Sequence, residues 1–178
     1  MEKAAANPEF SVIFAMAKNG GFANNGQLPW KLSKEMAHFS KVTLAKEHRE
    51  FNVVIMGRRT WESLPETRRP LKGRYNIIVS KTMKSGYNTE NGARVTSTLQ
   101  EALDISTKKG KIFVIGGKAL IKKALSHPSC TELYLTRIDK EYPCDTFIKP
   151  DLSRFTSAKI IKDDEEDQVK FTIMLYKR

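Results

Sequence analysis

A buried strand, a sharp turn and the start of a helix follow one another in Val54-Ile55-Met56-Gly57-Arg58-Arg59-Thr60-Trp61. Residues 112–119 repeat this order, with the paired glycines Gly116 and Gly117 at the turn. Strand, tight turn and helix together form the repeating unit of a parallel sheet that helices cover on both faces. The two stretches therefore predict an α/β fold.

Further apolar runs of strand length lie outside these stretches, at residues 12–17, 76–79, 133–138 and 171–176. Helical patterns separate them at residues 31–43, 98–103 and 119–125, and Thr98 and Glu101 have the spacing of a capping box. The last run alternates apolar and polar residues, whereas most of the others are continuously apolar. We therefore predict a mixed, mainly parallel sheet with an antiparallel edge near the C-terminus.

The composition is that of one globular domain. Of the 178 residues, 40% are hydrophobic and 29% are charged, and this length is sufficient for one enclosed core. No apolar run approaches the ~18–20 residues that cross a bilayer. The first ten residues have neither an apolar signal core nor an Arg- and Ser-rich transit pattern. We therefore expect a cytoplasmic protein that has no membrane partner.

The two cysteines, Cys130 and Cys144, stand outside any CxxC arrangement and have no histidine at ligand spacing. Isolated thiols of this kind are typical of reduced packing residues. We therefore predict neither a disulfide nor a metal site.

The formal net charge of +11 is of the kind found in nucleic-acid-binding proteins. However, the basic residues are scattered along the chain, and the aromatic-basic motif of an RNA-binding sheet does not appear. A small polyanionic ligand or a solvated surface accounts for the charge equally well. The charge alone leaves these alternatives open, and it does not require a nucleic-acid partner.

One carboxylate lies within an apolar helical pattern. Leu32, Met36 and Phe39 follow one another at i, i+4 and i+7, and Glu35 stands one turn before Phe39. A glutamate at the edge of such a helix most often faces solvent. If Glu35 faces the core instead, burial raises its pKa, so that it can hold or relay a proton near neutrality. Its position in the sequence does not choose between the two.

The two strand-to-helix turns are candidate anion sites. Glycine allows a sharp turn, and the free N–H groups of the following helix attract negative charge. Arg58 and Arg59 follow Gly57 at a helix end where the helix dipole disfavours cations, which suggests a bound phosphate. Neither turn is a P-loop or a GxGxxG motif. Either could be a simple tight turn, but together they would form a groove for a molecule with several phosphates.

Two further segments carry weaker signals. Residues 19–30 form a loop rich in glycine and asparagine between the first strand and the first helix, a composition typical of mobile lids. Residues 163–167 are all acidic, and they are most simply interpreted as a solvated connection, because the glycine of acidic metal loops is missing.

Six short segments, in this order and spacing, closely resemble those of the dihydrofolate reductase family, in its eukaryotic more than its bacterial form. They are NGxLPW at residues 25–30, VIMGRRTWESLP at 54–65, RPLKGR at 69–74, IGG at 115–117, LTRI at 135–138 and DTF at 145–147. The resemblance runs from about residue 10 to residue 176, nearly the whole chain.

The resemblance implies a dihydrofolate reductase-like fold, with a central, mostly parallel eight-stranded sheet, an antiparallel C-terminal edge strand and about four flanking helices. It also implies an oxidoreductase that uses NADPH to reduce dihydrofolate to tetrahydrofolate. Such a reaction supplies one-carbon metabolism for thymidylate and purine synthesis. The expected small-molecule partners are NADPH, dihydrofolate, folate and antifolates.

The same resemblance assigns roles in the folate cleft. Glu35 would hydrogen-bond the pterin and promote its protonation, with Thr136 and a water held by Trp30 behind it. Arg74 would pair with the glutamate-tail carboxylate, a bidentate contact that suits arginine. The cleft would be lined by Ile13, Phe14, Leu28, Met36, Phe39, Ser63, Leu64, Leu71 and Ile115, together with Glu35, Arg74 and Thr136.

For the cofactor, the resemblance implies that the backbone at Ala15 and Phe22 holds the nicotinamide carboxamide. Residues 57–60 and 116–120 would take the pyrophosphate, and Gly116-Gly117 would be a cis peptide. Arg58, Ser80 and Lys81 would surround the 2′-phosphate. The full expected cofactor set is Ala15, Gly21, Phe22, Gly26, Gly57, Arg58, Arg59, Thr60, Val79, Ser80, Lys81, Ile115, Gly116, Gly117, Lys118, Ala119, Leu120 and Ile121.

Five positions depart from the family pattern. Ala23 replaces a glycine in the lid loop, and Ile121 replaces a tyrosine that contacts the cofactor region. Lys118 adds a charge at the pyrophosphate turn, and Ser97 replaces an arginine near the adenosine phosphate. Met36 replaces a phenylalanine against the pterin, so antifolate affinity does not follow from the family.

Two other functions are considered. A related NADPH-dependent pterin or flavin-precursor reductase on the same fold would need neither Glu35 nor Arg74. A basic nucleic-acid-binding protein would bind in a salt-sensitive way and would be indifferent to Glu35→Gln. Residues 1–9 are expected to be an N-terminal extension, and residues 10–178 a single reductase domain. Because the chain ends directly after its last strand, we expect this domain to act alone as a monomer, whereas plant and protozoan relatives fuse it to thymidylate synthase.

Overall fold

The computed structural model of this chain describes residues 7–46, 50–85 and 92–178. Its strands are β1 (Phe10–Ala17), β2 (Gly21–Ala23), β3 (Asn52–Gly57), β4 (Arg74–Val79), β5 (Arg94–Thr96), β6 (Ile112–Gly116), β7 (Cys130–Ile138), β8 (Thr146–Phe147), β9 (Ser157–Glu166) and β10 (Val169–Lys177). Its α-helices are α1 (Ser33–Thr43), α2 (Arg58–Ser63), α3 (Leu99–Asp104) and α4 (Lys118–Ser126), and a 3₁₀ turn spans Glu66–Arg68.

Eight strands form one sheet in the order β5-β4-β3-β6-β1-β7-β10-β9. The six strands from β5 to β7 are parallel, and β10 runs antiparallel to both β7 and β9. The prediction of a mostly parallel sheet with an antiparallel C-terminal edge and four helices is confirmed. The edge is a hairpin, in which β9 lies outside the last strand. A separate two-stranded sheet joins β2 to β8.

The strands with continuous apolar runs lie where both faces of the sheet are covered, as expected for parallel strands. On one face, α4 packs over alternate side chains of β1 and β7, among them Phe14 and Leu135, and α3 packs over β4 and β5. On the other face, Ile13 of β1 lies in a cluster with Trp61 of α2 and Phe39 of α1. Successive side chains of a strand point to opposite faces, so β1 contributes to both cores.

The first helix turns a different side to the sheet from the one its apolar pattern predicts. Leu32 is buried and Phe39 is half-buried, but Met36 is 39% exposed. Glu35 is only 7% exposed. The side that faces the sheet follows the 3.6-residue period from Leu32 through Glu35 and Phe39 to the buried Thr43. The predicted stripe of Leu32, Met36 and Phe39 was therefore wrong at Met36, and the hypothesis of a core-facing Glu35 is confirmed.

The interpretation of residues 163–167 as a solvated connection was also wrong. Asp163, Asp164, Glu165 and Glu166 belong to β9 and pair with β10. The connection is only the two residues Asp167 and Gln168, both with positive φ (50° and 64°), a conformation that suits the right-handed twist of a two-residue hairpin. The edge strand has no buried face to impose an apolar pattern, so the sequence carried no strand signal there.

The predicted cap of the third helix is confirmed. The Thr98 side chain accepts a hydrogen bond from the Glu101 N–H at 3.1 Å, and the Glu101 carboxylate accepts from the Ser97 N–H at 2.8 Å. None of the helices in the described residues has the length and apolarity needed to cross a membrane.

Candidate active site

Glu35 lies in the first turn of α1, a helix that packs against β3 and brings this side chain to Thr136 of β7. Burial raises the pKa of its carboxyl from 4.5 to about 7, although a hydrogen bond with the Thr136 side chain lowers it in part. Thr136 is itself only 3% exposed, and its backbone pairs with Ala15 of β1 and Ile173 of β10. A carboxyl that is poised near neutrality and fixed by a rigid strand is suited to holding a proton.

Trp30 lies just before α1, the helix that carries Glu35. Its indole is buried with Leu32 and Phe171, and it meets Tyr142 edge-on at 5.8 Å between ring centroids. The buried indole Nε1 has no hydrogen-bond partner among the described residues. A buried N–H normally has one, so this donor marks a position where a bound polar group or water fits.

Arg74 begins β4 and lies against the other end of α1. Its Nε donates to the Lys72 carbonyl at 3.0 Å, and its Nη1 donates to the Thr43 hydroxyl at 2.9 Å. Its guanidinium also lies 6.0 Å from the centre of the Phe39 ring. Burial lowers the pKa of Arg74, but an arginine remains charged at any physiological pH. The contacts hold a fixed cation whose remaining N–H groups are available for a carboxylate.

The two glycine turns meet, because β3 and β6 are neighbours in the sheet. A Cβ atom at Gly57 would lie 3.6 Å from the Gly117 nitrogen, and one at Gly116 would lie 3.1 Å from the Thr60 hydroxyl. Gly116 has a φ of 151°, and the Gly116–Gly117 peptide is cis, as the resemblance implied. The two turns therefore lie side by side at neighbouring strand ends, the arrangement that a shared groove needs.

The charge at the start of α2 is partly balanced within the helix. Arg58 forms an ion pair with Glu62 one turn later, with 3.4 Å between Nη1 and Oε1. The cation at this helix start therefore has a local partner, and its position does not by itself require a bound anion. Arg59 is exposed and remains a candidate for a phosphate contact.

A third group of predicted cofactor residues follows β4. Val79 ends this strand, Ser80 is buried and Lys81 is exposed. The Ser80 hydroxyl accepts from the backbone N–H groups of Thr82 at 3.2 Å and Met83 at 3.1 Å. Its side chain therefore shapes the turn that presents Lys81.

The glycine-rich loop is held by a short sheet rather than being a free lid. Gly21 and Ala23 of β2 pair with Phe147 and Thr146 of β8. The Asp145 carboxylate accepts from the Asn25 N–H at 2.8 Å. A Cβ atom at Gly21 would lie 2.5 Å from the Cys144 sulfur, so only glycine fits there. Gly26 stands at the exposed tip with a φ of 75°.

The structure brings together most of the predicted folate-lining residues but not all. Ile13 shares one cluster with Phe39, Leu64, Leu71 and Ile115. Ser63 is half-buried at the end of α2. Met36 is exposed on α1, and Leu28 is exposed in the segment that precedes this helix.

Two predicted contacts lie on the other face of the sheet. The Phe14 side chain packs 6.1 Å from Phe22, measured between ring centroids, and Ile121 is fully buried. Both belong to the core under α4, so neither side chain meets the Glu35 cleft. Leu120 is buried in the same core, whereas Lys118 and Ala119 are exposed at the start of α4.

The arrangement matches a known family. The sequence model of the family described as "Dihydrofolate reductase" matches residues 9–178. The chain belongs to the dihydrofolate reductase family. Members of this family are oxidoreductases, and the described sheet, the buried acid on α1 and the paired glycine turns are consistent with it.

Single-domain relatives match along nearly their whole length. A dihydrofolate reductase of Heliothis virescens is 36% identical over 178 residues, covering 96% of this chain and 95% of the relative. A dihydrofolate reductase of Aedes albopictus is 32% identical over 183 residues, covering 96% of this chain and 97% of the relative. The bifunctional dihydrofolate reductase-thymidylate synthase 2 of Arabidopsis thaliana is 38% identical, but the match covers only 26% of that protein.

Sequence reasoning missed several residues that shape this dihydrofolate reductase site. Thr43, which is fully buried, holds Arg74 and had no signal beyond its place at a helix end. Asp145 and Cys144 hold the loop from a segment more than a hundred residues away. Contacts of this kind depend on the folded chain, and only the DTF motif pointed to one of them.

Proposed function

We propose that this protein uses NADPH to reduce dihydrofolate to tetrahydrofolate, with Glu35 promoting protonation of the pterin. One observation carries the proposal: a buried carboxyl with a pKa of about 7, fixed to Thr136 in the cleft between α1 and the sheet. Membership of the dihydrofolate reductase family supports the substrate.

Glu35 is the group that handles the proton. Because its pKa of about 7 lies close to neutral pH, both protonation states are accessible there. It can therefore hydrogen-bond the pterin in either state and pass a proton toward the ring nitrogen, directly or through water near the Trp30 Nε1. Thr136 keeps the carboxyl in one orientation.

The strand-end turns fit a dinucleotide. Gly116 and Gly117 bring bare backbone next to the Thr60 hydroxyl, and Gly57 lies against Gly117, so side chains at these positions would fill the space. Such turns at the carboxyl ends of parallel strands accept phosphates through backbone N–H groups. NADPH, when bound, supplies the hydride. Arg58 and Lys81 then favour the 2′-phosphate over the hydroxyl of NADH by charge.

Arg74 recognises the far end of the substrate. Its guanidinium is held by the Lys72 carbonyl and by Thr43, the last residue of the helix that carries Glu35. A cation fixed in this way pairs with a carboxylate of the glutamate tail and places the pterin at the opposite end of the helix. Alignment of the reactants in a dry cleft supplies much of the rate enhancement.

The test is the loss of NADPH absorbance with dihydrofolate as substrate. We expect fast oxidation of NADPH, much slower oxidation of NADH, and a rate ~10²–10⁴-fold lower in Glu35→Gln, the range of general acid–base effects. The matched control is Glu165→Gln, which removes the same charge from an exposed position on β9.

The outcome that contradicts the proposal is a folded native protein that oxidises no NADPH with dihydrofolate. Oxidation with another pterin, at a rate that Glu35→Gln leaves unchanged, would instead identify a related reductase on the same fold.

A further inference from the structure

The acidic run of β9 presents its carboxylates to opposite faces of the sheet. Asp164 pairs with Phe171, and Glu166 with Val169, both of which face the cluster that contains Trp30 and Leu32. Asp163 and Glu165 alternate with them and face the other way. Only the first pair can therefore reach α1.

Helix α1 lacks a cap of its own. Leu32 stands at its N-cap position and makes no side-chain cap hydrogen bond, because its side chain has no acceptor. The Glu166 carboxylate accepts the hydrogen bond of the Ser33 N–H instead. A carboxylate at this position satisfies a free N–H group and is favoured by the helix dipole. The first turn of α1 is thus capped by a residue 133 positions away in the sequence.

A lysine makes the second link. The Lys34 Nζ donates to the Asp164 carboxylate at 3.0 Å and to the Glu165 carbonyl at 2.9 Å. Asp164 is also paired with Lys162, with 2.6 Å between the charged atoms. Hydrogen bonds from Lys162, the Glu165 backbone and Lys34 hold the pKa of Asp164 well below its usual range. This carboxylate therefore remains charged wherever the enzyme works.

We propose that Asp164 and Glu166 are positioning residues for Glu35, which hold the first turn of α1 against the sheet. The inference rests on the proposed function of Glu35 as the proton-handling group. Glu35 is in the same turn as the two contacts, one residue after Lys34 and two after Ser33. When the turn is released, water reaches the carboxyl and its contact with Thr136 loosens.

The charged and titratable groups around this helix define what a pH measurement reports. They are Lys34, His38 and Lys41 on α1, Lys162, Asp164 and Glu166 on β9, Tyr134 on β7, and Arg74 on β4. None of them is among the causes of the raised pKa of Glu35, which are burial and the Thr136 contact. Loss of the two negative charges of Asp164 and Glu166 would itself lower the pKa of Glu35, so the comparison needs a second variant that removes two carboxylates from the same strand without touching α1.

The experiment compares two double variants of the same strand. Asp164→Ala with Glu166→Ala removes the two inward carboxylates and with them the acceptors of the Ser33 N–H and the Lys34 Nζ, and Asp163→Ala with Glu165→Ala removes two outward ones. The titration midpoint of the Glu35 carboxyl is followed by ¹³C NMR in the ligand-free protein, and the hydride-transfer rate is followed in single turnovers against pH.

In the inward variant we expect the Glu35 midpoint to fall by about one unit from its value of about 7, toward that of an exposed carboxyl. Hydride transfer at neutral pH should become roughly tenfold slower, while the dissociation constant of NADPH should change less than twofold. The outward variant should match the native protein. The single variant Glu166→Ala, which removes the acceptor of the Ser33 N–H, serves if the inward double variant does not fold, with a smaller shift in the same direction.

An unchanged Glu35 midpoint in a folded inward variant overturns the inference, and so does an equal shift in the outward variant. Because the titration needs no substrate, this result is separate from a failure of the proposed reaction, which only the NADPH assay reports.

Discussion

An ionisable group is buried or half-buried at each end of α1, and burial shifts the two pKa values in opposite directions. At the N-terminal end, burial raises the pKa of Glu35 to about 7. At the C-terminal end, burial lowers the pKa of Arg74. Both shifts favour the neutral form, because removal from water disfavours charge of either sign.

The consequence differs because the starting pKa values differ. The ordinary value of Glu35 is 4.5, so a shift of this size brings it to neutrality. The ordinary value of Arg74 is 12.5, so the guanidinium keeps its charge and has the Thr43 hydroxyl and the Lys72 carbonyl as partners. One helix thus carries a group that can exchange a proton at its N-terminal end and, through Thr43, holds a group of β4 that can only bind an anion at its C-terminal end. The comparison predicts three effects of decreasing size.

The largest effect is on stability. Between pH 4.5 and about 7 the folded state binds a proton at Glu35 that the unfolded state has lost, so the free energy of unfolding falls as pH rises. The loss amounts to about 3 kcal/mol. Glu35→Gln has no such loss, and it should be more stable than the native protein by about this amount at pH 8, and by less than about 1 kcal/mol at pH 5.

The measurement is urea unfolding at several pH values. Glu165→Gln provides the control, and its stability should run parallel to that of the native protein. A Glu35→Gln variant that is less stable than the native protein at pH 8 would mean that the carboxyl is not desolvated as described.

The second effect concerns the fixed cation. Arg74→Lys keeps the charge but loses the planar fork that binds a carboxylate through two N–H groups. We expect KM for dihydrofolate to rise about tenfold to thirtyfold, corresponding to ~1.5–2 kcal/mol of lost charge-assisted hydrogen bonding. A dihydropterin without the glutamate tail should show unchanged kinetics. Equal effects on both substrates would assign Arg74 to the fold rather than to the tail.

The smallest effect tests the hydroxyl that holds the arginine. Thr43→Val keeps the shape of the side chain but removes the acceptor of the Arg74 Nη1. A hydrogen bond to a charged group contributes about 1.5 kcal/mol at its low end, which limits the rise in KM for dihydrofolate to roughly tenfold, with kcat unchanged. Because Thr43 also donates to the Phe39 carbonyl, thermal unfolding must be measured beside it. A fall in kcat without a rise in KM would contradict this role.

Much of the fold could be predicted from the sequence, because parallel strands buried on both faces leave continuous apolar runs. The runs at residues 53–56 and 112–115 fall within β3 and β6. Short or exposed strands left no such trace: β2, β5 and β8 have two or three residues, and the acidic part of β9 has no apolar side. Their pairing comes from neighbouring strands rather than from their own composition.

In the site, too, some features could be recognised from the sequence and others could not. The glycines at 57, 116 and 117 were recognisable because a sharp turn after a buried strand needs them. The side of α1 that faces the sheet could not be recognised from the sequence. Met36 is more apolar than Glu35, yet Met36 is exposed and Glu35 is buried. Local hydrophobicity ordinarily decides such a choice, and here the packing of the whole helix overrides it.

By itself, the sequence determined the α/β class, the positions of the main strands along the chain and the two glycine turns at strand ends. These features depend on local periodicity and on the conformational freedom of glycine. Only the tertiary structure decided which side of α1 is buried, which carboxylates of β9 reach it and how Thr43 holds Arg74. Those contacts join residues far apart in the chain, and desolvation, which sets the pKa of Glu35, exists only once the sheet has covered it.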